Sequence, residues 1–143
     1  MLAGIAFLIH LVATVAMAAI IWTMQLVHYP VFALADRERF PEFARRHTKS
    51  ISKLLMPLMI LEAISAVLLV FHPHESLPTV AAALGAGLLL LIWISTFALQ
   101  VPCHRILAKG YDATVHRRLL RTNWLRTGAW TARAGIVVWG MAR

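Results

Sequence analysis

Residues 2–34 read LAGIAFLIHLVATVAMAAIIWTMQLVHYPVFAL and contain no Asp, Glu, Lys or Arg. At about 1.5 Å of rise per residue such a helix is about 50 Å long, more than the roughly 30 Å of hydrocarbon in a bilayer, so it crosses with room to tilt. Pro30 has no N–H to donate and is expected to bend it near its end. The uncharged run continues to Ala35 and no basic cluster precedes it. It therefore reads as a retained membrane anchor and not as a cleaved signal peptide.

The rest of the chain repeats this character. Of 143 residues, 60% are hydrophobic and 14% charged, with mean hydropathy +0.73, against about 25% charged in soluble domains. Residues 54–71 are apolar except for Glu62, with Pro57 near their start, and residues 79–101 form a third apolar run. Residues 119–142 carry Arg121, Arg126 and Arg133, but Trp124, Trp130 and Trp139 mark them as a membrane-associated helix. Between the first two spans, Phe40, Phe43, His47 and Ile51 have helical spacing, which predicts an amphipathic helix leading into the second span. The expected fold is thus all-α, an integral membrane four-helix bundle in a single transmembrane domain, with spans at about 2–34, 54–71, 79–101 and 119–142. No repeat of 20 to 50 residues is visible.

The net charge of +8 does not form a free basic surface. Arg37, Arg39, Arg45, Arg46, Lys49 and Lys53 lie in the first connection, and Arg105, Lys109, Arg117, Arg118, Arg121 and Arg126 in or beside the third. The connection at 72–78 has no Lys or Arg. That asymmetry argues against nucleic-acid binding. It places the basic connections in the cytoplasm against anionic lipid and both termini outside, as in a bacterial inner membrane. The lone Cys103 excludes an intrachain disulfide. Gly-rich phosphate loops, G-x-S-x-G and H-E-x-x-H are absent from the sequence.

An ionisable group at the centre of a membrane helix costs about 2.5–3.5 kcal/mol, so each needs a reason. His10, Thr14, Met17, Ile21, Met24 and His28 share one face of the first helix by spacing, with Gln25 beside His28. Trp93, Thr96, Gln100 and His104 share a face of the third if Pro102 kinks the helix without ending it, and Asn123, Arg126, Trp130 and Arg133 share a face of the fourth. Measured from the apolar boundaries, His28 and Glu62 both lie about 12 Å from the basic side. The sequence therefore predicts one polar pocket in the cytoplasmic half, collecting Gln25, His28, Glu62, Gln100, His104, Asn123 and Arg126. Within it Glu62 is expected to pair with Arg126, and His28, Gln100 and Asn123 to line a common cavity. His72 and His74 are spaced to hold a metal, although a solvated turn explains them much better.

The run Thr122-Asn123-Trp124-Leu125-Arg126-Thr127, with Trp130 and Arg133 after it and His28-Tyr29-Pro30 early in the chain, resembles a family of small four-helix membrane proteins that includes the fungal anthrone oxygenases. The last helix of that family reads W-x-x-x-N-x-x-R-T. Asn123, Arg126 and Thr127 match it, and Leu119 stands where the first Trp would be. The resemblance implies oxidation of a phenolic substrate without a dedicated cofactor.

Three readings remain open at this stage. The favoured one is a membrane protein that binds or oxidises a small amphipathic or phenolic molecule. In it, His28 or His104 acts as base, Arg126 and Asn123 hold the developing anion, and Gln25, Glu62 and Gln100 complete the binding site. The second is a haem or metal protein using His28 and His104, with Glu62 as a further metal ligand. The third is a non-catalytic accessory subunit, homo-oligomeric or part of a larger membrane complex, whose polar residues only join helices.

Overall fold

The computed structural model describes residues 1–142 and is all-helical in these residues. Four helices succeed one another: α1 (Leu2–Leu34), α2 (Phe40–Phe71), α3 (Thr79–Leu107) and α4 (Ala113–Met141). The first three are long and apolar enough to cross a membrane. The fourth is long enough, but its arginines leave it less apolar than the other three. Its outer face nonetheless bears Trp124, Leu125 and Val138, while Arg126 and Arg133 turn into the bundle. The same inversion holds throughout. Leu8, Val12, Leu26, Ile64, Leu84, Leu90 and Phe97 are exposed, whereas His10, Thr14, Glu62, Gln100 and Asn123 are buried.

Three helix boundaries differ from the expected spans, and one is the end of the third helix, which runs on past 101 to Leu107. The amphipathic segment does run into the second apolar stretch, so that α2 is one helix from Phe40, with Pro57 inside it. The last helix begins at Ala113, where the Asp112 carboxylate accepts from the amides of Thr114 (2.7 Å) and Val115 (3.0 Å) and satisfies N–H groups that a helix start leaves open.

Pro30 and Pro102 do not end their helices. Each follows a wide π-turn, Met24–His28 in α1 and Thr96–Gln100 in α3, which makes room for a residue that cannot donate to the preceding turn. The inserted residue shifts the buried face by one position. In α1 the sequence of buried residues passes from Ile21, Met24 and Gln25 to Tyr29 and Phe32. In α3 it jumps from Ser95 to Gln100, then continues through Cys103 and Leu107. The first and third helices thus share one device, a π-turn just ahead of a proline in their C-terminal part.

At the end opposite the basic connections, the His74 ring stacks on Phe7 at 4.6 Å and its Nδ1 accepts from the Ser76 amide. His74 is thereby occupied as a packing residue, and it does not pair with exposed His72 around a metal. Gly140 lies against the Ser76 carbonyl, and a Cβ there would overlap that oxygen.

Candidate functional site

The expected pocket resolves into separate arrangements. Glu62, fully buried, joins α2 to α1 and α4 directly, and to α3 through Arg133. Its Oε1 accepts from Thr14 of α1 (2.9 Å) and from Arg133 Nε of α4 (3.0 Å), and Arg133 Nη2 lies 3.0 Å from the same oxygen. Its Oε2 accepts from Trp130 Nε1 at 3.0 Å. Arg133 Nη1 in turn donates to the Gly85 carbonyl of α3. Nearby, His10 Nδ1 meets Ser65 Oγ at 3.0 Å, and that hydroxyl donates to the Glu62 carbonyl.

The expected Glu62–Arg126 pair is therefore corrected to Glu62–Arg133. Depth gives the reason. Counted from Phe40 and Ala113, where these helices begin, Glu62 and Arg133 both lie about six turns in, and Arg126 fewer than four.

Nearer the basic side, Gln25 and Asn123 join α1 to α4. Asn123 Nδ2 donates to Gln25 Oε1 (2.9 Å), Gln25 Nε2 to the Leu120 carbonyl, and Arg126 Nη1 to Asn123 Oδ1 (3.3 Å). Arg126 is only 3% exposed. Its guanidinium stands 5.1 Å from the Trp130 ring centre and interacts with the Tyr29 phenol, while its Nε has no hydrogen-bond partner.

One side of Arg126 faces a cavity of about 520 Å³ between α2 and α3. Leu55, Met59, Phe97 and Val101 form apolar walls. Tyr29, Gln100, His104 and Arg126 supply polar groups, and Arg45, Lys49 and Arg105 belong to the side nearest the basic connections. Met56 and Phe97, both on the outer surface of the bundle, also line it, so it opens sideways between the two helices. The Tyr29 hydroxyl lies 3.3 Å from His104 Nε2, and His116 Nε2 donates to the Tyr29 carbonyl at 2.8 Å. Gln100 is held by Ser95 and Thr122. Trp93 Nε1, on the cavity wall, is buried and has no hydrogen-bond partner.

Gln100, His104 and Arg126 are thus brought to one cavity. Asn123 and Gln25 stand behind Arg126 and do not line it. Glu62 belongs to the deeper cluster. His28 lines a different hollow, of about 510 Å³, on the α1–α2 side, with Nε2 2.8 Å from His47 Nδ1. The common cavity expected for His28, Gln100 and Asn123 does not form. The π-turn is the cause, because it carries Tyr29 to the inner face where an unbroken helix would have placed His28. The missed residues are Tyr29 and His47, while Trp93, on the face of α3 that spacing predicts it to share with Gln100 and His104, is absent from the expected pocket but lines the cavity. The signal for Tyr29 was the proline that follows it within an otherwise unbroken apolar run.

His47 also packs against both histidines invoked for haem, with ring centres 4.5 Å from His28 and 5.9 Å from His104. Ligation of one iron by both would require moving its side chain. Among the described residues no group of three or more His, Cys, Asp or Glu is arranged to hold a metal ion.

Comparison with protein families, curated proteins and solved structures finds no match.

Proposed function

We propose that the protein is an integral membrane four-helix bundle that binds a small amphipathic molecule between α2 and α3, with the apolar body against Leu55, Met59 and Phe97 and the polar head toward Arg126, Tyr29 and His104. The observation that carries this reading is the cavity itself. Its volume of about 520 Å³ falls within the range of small-molecule sites, and it combines apolar walls with a few convergent polar groups. Membrane insertion is supported by the inverted surface, by three apolar helices of sufficient length, and by the inward turn of Arg126 and Arg133, the two deepest of the α4 arginines. The basic connections would then face the cytoplasm and both termini the outside. In a Cys103→Ser background, a membrane-impermeant thiol reagent added to intact cells should label Glu75→Cys and spare Lys49→Cys; the reverse pattern would overturn the orientation.

The resemblance carried by Asn123, Arg126 and Thr127 favours a phenolic occupant. His104 Nε2 is then the base that takes the phenol proton, and Arg126 holds the phenolate, the activated form in which an electron-rich ring reacts with dioxygen. Gln25 and Asn123 position the guanidinium and do not touch the substrate.

Occupancy is tested with a diazirine-bearing alkylphenol on protein in lipid nanodiscs. Photolabelling is expected at α2 and α3 residues around Met59 and Phe97. Leu55→Trp, which fills the cavity with an indole, should cut the yield by about tenfold or more, corresponding to about 1.4 kcal/mol of lost affinity. Equal labelling of Leu55→Trp, or labelling spread over outward residues such as Leu8 and Leu90, would reject the site.

A further inference from the structure

The charge balance around Arg126 goes further than the shape of the cavity. The chain has six carboxylate side chains. Glu62 is committed to Arg133. Asp36, Glu38, Glu42, Glu75 and Asp112 are all exposed, and all lie in connections or at helix starts. Among the described residues Arg126 therefore has no carboxylate partner, although it is buried and its neighbours Tyr29, Asn123 and Trp130 are neutral. A buried guanidinium without a counter-charge is costly in a low-dielectric setting, and a buried donor without an acceptor adds to that cost. Arg126 Nε and Trp93 Nε1 are both in that condition, and both residues line the same cavity.

Resting on the cavity reading above, we infer that the ligand is a monoanionic amphiphile whose oxyanion, a carboxylate or a phenolate, supplies the missing charge at Arg126 and accepts from Trp93, and that it enters sideways from the bilayer past Met56 and Phe97. One unmatched guanidinium calls for one negative charge. Arg–oxyanion hydrogen bonds are among the stronger ones because both partners are ionised and mutually desolvated. Arg45, Lys49 and Arg105 add positive potential on the side nearest the basic connections, which draws an anionic head toward the site and repels a cationic one. An apolar tail leaving between Met56 and Phe97 stays in contact with lipid throughout.

The test compares ligands of one chain length and different charge on protein in phosphatidylcholine nanodiscs at pH 7. Displacement of the diazirine alkylphenol is measured with decanoate, 1-decanol and decyltrimethylammonium, on wild type, Arg126→Gln, Arg126→Lys and Trp93→Phe, each first confirmed as folded by thermal melting. Decanoate is expected to bind about tenfold or more tightly than decanol, and the cation least. Arg126→Gln should remove the preference for the anion, Arg126→Lys should keep part of it, and Trp93→Phe should weaken decanoate more than decanol. An alkylphenol whose affinity rises as pH passes its own ionisation, and loses that rise in Arg126→Gln, would assign phenolate; a decanoate affinity exceeding that of the ionised phenol would assign carboxylate. Equal binding of decanoate and decanol, unchanged in Arg126→Gln, would overturn the anion inference and leave the cavity reading standing. Failure of every amphiphile to displace the probe, together with equal labelling of Leu55→Trp, would end both.

Discussion

Glu62→Leu and Arg133→Leu, each alone, are expected to destabilise the protein by about 3–5 kcal/mol, because each leaves the other charge buried and uncompensated. The double variant should lose clearly less than the sum. Leucines fill the space without any charge to solvate, and Thr14 and Trp130 then lose only an acceptor. Three helices meet at this one carboxylate: Thr14, Trp130 and Arg133 all donate to it, and Arg133 reaches on to Gly85 of α3. Thermal or denaturant unfolding in one fixed detergent gives the cycle. A matching cycle between Glu62 and Arg126, which meet only through Trp130, should show clearly weaker coupling. Additivity in the Glu62–Arg133 cycle, or coupling only in the Glu62–Arg126 cycle, would contradict the pairing.

A second large effect is expected from deleting Val27, an exposed residue inside the π-turn. Removing one residue turns the π-turn into an ordinary helical turn and keeps the register on either side of it, so Tyr29 and Phe32 stay on the inner face. Pro30 then lies in an unbroken helix, where its ring meets the carbonyl one turn before it and that carbonyl loses its donor, at a cost of about 3 kcal/mol or more. The deletion should therefore lower the melting temperature sharply, Pro30→Ala in the same background should restore most of the loss, and the folded protein should keep alkylphenol labelling in the cavity. Deletion without change in melting would show that the π-turn does not accommodate Pro30.

What the sequence makes legible follows from which signals are local. Uncharged runs and tryptophans locate four helices, even where Arg126 and Arg133 depress the hydropathy of the last. The inward direction of His10, Thr14, Met17, Ile21 and Met24 follows from the 3.6-residue period, which the first helix obeys up to its π-turn. Beyond that turn the period slips by one. His28 is consequently assigned to the cavity that Tyr29 occupies. The pairing of Glu62 goes astray for a different reason, since apolar boundaries do not show that α2 begins at Phe40 and α4 at Ala113. Depth counted from hydropathy edges then matches Glu62 to the wrong arginine. Gln100, His104 and Arg126 converge as expected because no inserted turn separates His104 from Gln100, and Arg126 lies on an unbroken helix. The cavity's walls depend on how α2 and α3 splay apart, which no local signal encodes.

The most direct measurement is an experimental structure of the protein extracted and held in lipid, with the space between α2 and α3 inspected for an occupant. The account predicts an elongated molecule with its acidic head within hydrogen-bond distance of the Arg126 guanidinium and its tail passing between Met56 and Phe97. A closed interface there, with α2 and α3 in contact and the Arg126 guanidinium satisfied by protein groups alone, would contradict it.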